Sequence, residues 1–498
     1  MTPLSHRSVP RAIALLAASL LASPLALAHP LAAQQAPARV DLSALQDEAV
    51  RLTQEYLRIN TTDPPGNEDQ TMRFFARIFA KEGIPFDSAS SAPGRGNIWA
   101  RIKGGSQPAL VLLHHMDVVP ADPHYWSTDP FAATVKDGVI YGRGALDTKT
   151  LGIVELVAFL ELHRAHVPLD RDVIFMATAD EEAGGMYGAG WVVKNHPEAF
   201  RGVKLLINEG GDGVIEGGRK EFAIEVTQKV PLWLQLTATD EPSHGSTPHV
   251  TTSVTRLIRA LDRLATHQFP PRVVPAVDAY FKALAPDAPA GWKDAYADMA
   301  ATVKDHDKLL ALQIRDPGLA ALTRNTCSIT MLTGSNKINV VPPEAKAQID
   351  CRLLPDQDPD AFIRELGAVL DDPSITISRI MGFTPAVSST ETPLYRALER
   401  VLRAHAPDAG VAPLVSTGFT DSHFFRDLGI DSYGIFPFLI PFEDESGVHG
   451  NDERISIENI RLGTAIMWDV VREVAGKGVA TPGAGRSTRG TSLPDWRR

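Results

Sequence analysis

The sequence predicts an α/β protein whose mostly parallel sheet domain is split by an inserted, ferredoxin-like α+β domain. Two patterns carry that prediction. Short apolar runs at 111–113, 173–176 and 205–207 alternate with helical periodicity at 45–59, 71–81 and 151–163. Continuous apolar runs mark strands covered on both faces, and alternation with helices is how parallel strands connect. After Gly210-Gly211-Asp212-Gly213 the pattern changes, and residues 224–239 alternate with period two, as strands with one wet face do. A helix over 252–267, strands over 327–332 and 346–354, a helix over 361–370 and a strand over 375–380 complete a β-α-β-β-α-β order. A Pro- and Ala-rich, partly helical insertion at 268–322 interrupts that order. Helix–strand alternation resumes at Pro393 and ends in a helix over 457–474. The expected boundaries are 41–212 and 386–475 for the two parts of the α/β domain, 213–385 for the inserted domain and 476–498 for a disordered tail.

The 498 residues are 44% hydrophobic and 22% charged, which excludes general disorder, collagen and coiled coil. Lys and Arg number 49 against 60 Asp and Glu, a net charge of −11 that argues against a nucleic-acid partner. Two cysteines exclude a disulfide scaffold and a four-cysteine zinc module. Residues 1–28 read as a signal peptide, with Arg7 and Arg11, an apolar stretch and Ala26-Leu27-Ala28 as the cleavage site. That stretch, interrupted by Pro24, falls short of the ~20 residues of a spanning helix. The expectation is a periplasmic or secreted protein with no membrane association after cleavage. Cys327 and Cys351 then either form a disulfide or stay as two small buried side chains.

Chemistry gathers where strands end. His115 and Asp117, in His114-His115-Met116-Asp117, follow the 111–113 strand and stand two apart, on one face of an extended chain. Asp147, in Tyr141-Gly142-Arg143-Gly144-Ala145-Leu146-Asp147-Thr148-Lys149, precedes a helix and would by itself read as an N-cap. Asp180-Glu181-Glu182 follows the 173–176 strand, Asn208-Glu209 follows the next, and His449-Gly450-Asn451-Asp452-Glu453 precedes the last helix. Alone, a His–Asp pair at a strand end is more often a structural hydrogen bond, and three adjacent acids are a solvated turn in most proteins. Together they crowd acids at one sheet edge, where carboxylates ~4 Å apart repel by roughly 4 kcal/mol at an effective dielectric of about 20. Two imidazoles and three carboxylates suit two divalent cations, zinc best, with cobalt or manganese as alternatives.

In this order the motifs resemble the dinuclear zinc amidohydrolases that include aminoacylase, glutamate carboxypeptidase and succinyl-diaminopimelate desuccinylase. The carboxypeptidase S branch is resembled most, through Thr61-Thr62-Asp63-Pro64-Pro65-Gly66-Asn67-Glu68 and the motif ending at Lys149. The resemblance implies a catalytic α/β domain and an inserted lid or dimerisation domain. It implies that His115, Asp147 and Glu209 hold one metal, and that Glu182, His449 and the shared Asp147 hold the other. Asp117 would orient His115, and Glu181 would be the general base. From the lid, His244 in Ser243-His244-Gly245-Ser246 would reach a partner subunit's site in a homodimer. Asn339 and Arg352 would bind the substrate's free carboxylate, and Gly418 in Gly418-Phe419-Thr420-Asp421 would line the substrate. The implied reaction is amide hydrolysis of a small peptide or N-acyl amino acid by metal-activated water. The sequence departs from the family where His114, Thr148 and Phe419 replace a usual glycine, an acid and a second glycine.

Two rival readings differ in class. A serine α/β-hydrolase fits the fold and the compartment, but the chain has no G-x-S-x-G. A non-catalytic two-domain solute-binding protein fits the export signal and leaves the strand-end acids unexplained.

Overall fold

The computed structural model describes residues 40–478; the signal peptide at 1–28 and all but the first residues of the 476–498 tail lie outside them. Among the described residues ten strands form one large sheet. At its centre Gln107–His115 lies parallel to Arg171–Thr178 on one side and to Val203–Asn208 on the other. Period two explains why this strand carries two cores. Leu110 and Leu112 face a cluster with the helices Leu42–Leu57, Asp69–Glu82, Lys149–Arg164, Pro393–His405 and Ile457–Ala475. Val111 and Leu113 face a smaller cluster with Ala189–Asn195 and Phe425. The result is a three-layer sandwich with helices on both faces. Lys149–Arg164 is buried almost all round, as a helix caught between a sheet and two other helices must be.

The inserted domain is a four-stranded antiparallel sheet in the order Thr326–Thr333, Glu344–Leu353, Val230–Thr239, Thr376–Gly382. In chain order that is 2-3-1-4, the ferredoxin-like arrangement expected. Ser253–Thr266 and Pro359–Leu370 cover one face, packing on Leu232, Leu234, Leu236, Ile349 and Leu353. Alternation sends Trp233, Asp350 and Arg352 to the other face.

The start of the inserted domain differs from the expectation at 213. Asp212–Glu216 and Arg219–Gln228 pair within the large sheet, and the lid sheet begins only at Val230. The period-two stretch is two strands laid end to end. Residues 222–228 are buried on both faces beside the parallel strand Ala409–Ser416, whereas Val230–Thr239 alternates. Both halves show the same spacing of apolar residues, so the junction at Lys229 is invisible in the pattern. Insertion 268–322 forms its own small helical cluster, including Val277, Phe281, Met299 and Leu312, which packs on Val415 of the large sheet and Leu354 beside the lid. Cys327 and Cys351 stand directly opposite in neighbouring lid strands and form a disulfide.

Candidate metal centre

His115 ends the central strand, almost fully buried at 1% exposure. Its Nδ1 lies 3.0 Å from the Asp117 backbone carbonyl and 3.4 Å from the Asp117 carboxylate. That fixes the ring and aims Nε2 at Asp147 Oδ1, 3.0 Å away, and Glu209 Oε2, 3.6 Å away. The other Asp147 oxygen, Oδ2, lies 3.0 Å from His449 Nε2, which is 3.1 Å from Glu182 Oε2. One carboxylate therefore spans two groups of ligand atoms: His115, Asp147 and Glu209 within 4.8 Å of one another, and Asp147, Glu182 and His449 likewise. The structure thus brings together the residues of the two sets that the family resemblance implies.

The donor chemistry fits two divalent cations. Glu182 Oε1 is buried with no hydrogen-bond partner among the described residues. Burial, then repulsion from Asp147, pushes the Glu182 carboxyl up to about 7. Burial, then repulsion from Glu209, raises Glu181 well above the usual carboxylate range. Hydrogen bonds that the His449 imidazolium donates to the Asp147 and Glu182 carboxylates push it up to about 10, so without a cation the imidazole holds a proton between two acids. Three carboxylates against two dications would leave about one positive charge, suited to polarising a carbonyl. Glu181 is buried in the turn beside Glu182.

The Asp117 carboxylate does more than orient His115. Its two oxygens accept the backbone N–H groups of Glu181 and Glu182, at 3.1 and 3.0 Å, and so tie the acidic turn to the His115 strand. Beneath it lies a third acidic group, Asp63, Glu68 and Asp117. Its cation is already present: Arg95 donates to both Asp63 oxygens at 2.7 and 2.8 Å and to Glu68 at 2.8 Å, and lies 3.1 Å from Asp180. Asp63 and Glu68 were legible as a motif, but Arg95 carried no signal. His114 needs no glycine-like turn, because the strand runs straight through it. Its ring packs on Phe75 and Phe175, with Nε2 3.2 Å from the Tyr56 hydroxyl, and Gly152 leaves it room.

The lid residues stand apart from this cluster. His244 and Val340 pair across a short two-stranded ribbon, and Gly245 donates to the Asn339 carbonyl at 2.8 Å, so His244 and Asn339 are neighbours. Both are exposed, and His244 Nδ1 is engaged by Ser246 at 2.8 Å. Arg352 donates through Nε and Nη2 to Asp350, at 2.8 and 3.2 Å, leaving Nη1 without a partner among the described residues. Gly418 is exposed at the start of the loop that leads to Asp421, a buried acid held by Thr178 at 3.1 Å.

The model of peptidase family M20/M25/M40 matches residues 111–473. The N-fatty-acyl-amino acid synthase/hydrolase PM20D1 of Xenopus tropicalis is 34% identical over 376 residues, 73% of this chain and 72% of that protein. The probable carboxypeptidase S-like 2 of Dictyostelium discoideum is 28% identical over 374 residues, 73% and 71% of the two chains. The fold matches an M20-family metallo-carboxypeptidase of Sulfolobus solfataricus with a TM-score of 0.65 at 22% identity, over 86% of this chain and 99% of that one. With the strand-end ligand sets and the inserted lid on the same chain, the match over most of its length settles the assignment: this protein is a hydrolase of peptidase family M20/M25/M40.

Proposed function

We propose that this chain is an exported amidohydrolase that cleaves the amide next to a free carboxylate, in small peptides or N-acyl amino acids, using two zinc ions. The observation that carries the reading is the shared carboxylate: Asp147 faces His115 with one oxygen and His449 with the other, beside Glu182, whose Oε1 has no partner among the described residues. Family membership removes the serine-hydrolase and solute-binding alternatives. The names of the relatives, an N-fatty-acyl-amino acid hydrolase and a carboxypeptidase, support the substrate class.

Two bound dications would supply Lewis acidity, polarising the amide carbonyl and making a water acidic enough to attack it near neutral pH. The protein supplies the rest. Glu181 takes the proton of the attacking water on its carboxylate and delivers it to the leaving amine nitrogen. Asp117 holds the Glu181 and Glu182 amides, and so fixes where that base stands relative to His115. The Arg352 guanidinium, whose Nη1 has no partner among the described residues, receives the substrate carboxylate; Asn339, beyond the opposite end of the Arg352 strand and beside His244, would join it from the partner subunit. His244 donates to the developing oxyanion in the partner subunit of a homodimer. Its exposure and its lack of any bond to the ligand residues of its own chain, among the described residues, support that arrangement.

Export rests on the segment at 1–28 and is supported by the Cys327–Cys351 disulfide, which an oxidising compartment sustains. Among the described residues no helix is long and apolar enough to cross a membrane. The test is a panel of dipeptides and short- and long-chain N-acyl amino acids, each paired with its carboxyl amide. Hydrolysis of free acids at least tenfold faster than of their amides is expected. Equal rates on acids and amides would remove the carboxylate requirement, and no hydrolysis of any member would remove the reading.

A further inference from the structure

Glu453 is fully buried four residues after His449, whose side chain is 55% exposed. It ends a motif that the proposed chemistry uses only for its histidine. Its carboxylate is surrounded by donors from one distant segment. Oε2 accepts from Arg143 Nη1 at 2.7 Å and from the Gly144 backbone at 2.9 Å. Oε1 accepts from the Leu146 backbone at 2.7 Å and from the backbone N–H of Asp147 itself at 3.1 Å. Arg143 reaches back to donate to the Gly450 carbonyl at 2.7 Å, next to His449, and the Gly142 N–H donates to the Glu453 carbonyl at 2.9 Å. The two segments are 310 residues apart in sequence and are sewn together by polar groups of both.

The loop needs such a restraint. His449 and Asp452 both adopt left-handed backbone, φ 57° and 56°, which residues with a Cβ rarely hold unaided. No strand end aims His449 as one aims His115 and Glu209.

We infer that Glu453 and Arg143 are positioning residues that set the separation between Asp147 and His449, and so hold open the half-site of Asp147, Glu182 and His449. Glu453→Gln places an amide N–H against a row of backbone N–H groups and removes the charge opposite Arg143. The His115, Asp147 and Glu209 half-site loses only part of its support, because His115 and Glu209 stand on strands that Glu453 does not touch.

The inference rests on the two-metal reading, and its test separates the two. Metal-free protein is titrated with Co²⁺ by visible absorption and with Zn²⁺ by calorimetry, and its melting temperature is followed in parallel. Wild type is expected to take up two equivalents. Glu453→Gln is expected to keep the first within about threefold and to weaken the second by 10–100-fold, the range for losing an outer partner of a metal ligand. Its kcat should then recover as metal is raised. Arg143→Lys keeps the charge facing Glu453 but loses the fork that also holds Gly450. It is expected to weaken the second equivalent by about three- to tenfold, and it serves if Glu453→Gln does not fold. Two equivalents bound as tightly as in wild type, or both weakened equally, would overturn the positioning role. Wild-type protein that binds no metal would instead overturn the two-metal reading itself.

Discussion

The two halves of the candidate metal centre share Asp147 and little else. In the first, His115 and Glu209 stand at the ends of neighbouring parallel strands, and His115 is 1% exposed. In the second, Glu182 sits on a turn and His449 on a surface loop, with its side chain 55% exposed. The first half is placed by the sheet, the element that the core makes most rigid. The second is placed by polar clamps, Asp117 on the Glu181–Glu182 amides and Glu453 on the Asp147 segment. Ligands aimed by strands are fixed by burial, whereas ligands on loops are fixed by hydrogen bonds, which are easier to undo. The lid continues this gradient, since its candidate residues His244 and Asn339 are exposed and bonded only locally.

The largest expected effect falls on Glu181, the proposed general base. Glu181→Gln should retain two metals and lose about 10²–10⁴-fold in kcat, the usual worth of a positioned acid–base group. Calorimetry and steady-state rates check this together, and a fully active variant would remove Glu181 as the base. Next come the ligands themselves. His449→Ala should abolish only the second equivalent of metal, while His115→Ala should weaken the first by 100-fold or more; equal losses in both variants would erase the contrast between the halves.

At the lid, His244→Ala alone and Glu181→Gln alone should each be nearly inactive. Mixing the two and allowing subunits to exchange should restore activity if His244 serves a partner's site. No recovery from a mixture shown to exchange would place the catalytic role of His244 within one chain or nowhere. The smallest effect concerns the disulfide. Closing a loop with a sequence separation of 24 stabilises by about 3 kcal/mol, so the Cys327→Ser/Cys351→Ser variant should melt several degrees lower with kcat unchanged. A fall in kcat would tie the lid sheet to the chemistry.

Most of the strand-placed half was legible in the sequence, because a buried strand announces itself as an apolar run and its last residues are where polar groups gather. Asp147, Glu182 and His449 were legible as motifs whose order matched a family. What holds them was not. Arg143 and Glu453 meet across 310 residues, and three of the donors on Glu453 are backbone N–H groups, which leave no mark in a sequence. Arg95 is hidden for the same reason: it stands 32 residues from Asp63, in a segment with no motif of its own. The Cys327–Cys351 pairing needed the register of two strands, and the domain junction at Lys229 needed to know which half of one periodic stretch was covered twice.

The dinuclear claim is tested most directly by stripping the protein with a chelator, adding zinc back in measured equivalents, and following hydrolysis of the best substrate. A centre built as two unequal halves sharing Asp147 predicts loss of activity on stripping and uptake of two equivalents, with most of the rate returning only as the second, weaker site fills. Activity that survives complete removal of metal, or full recovery at a single equivalent, would contradict it.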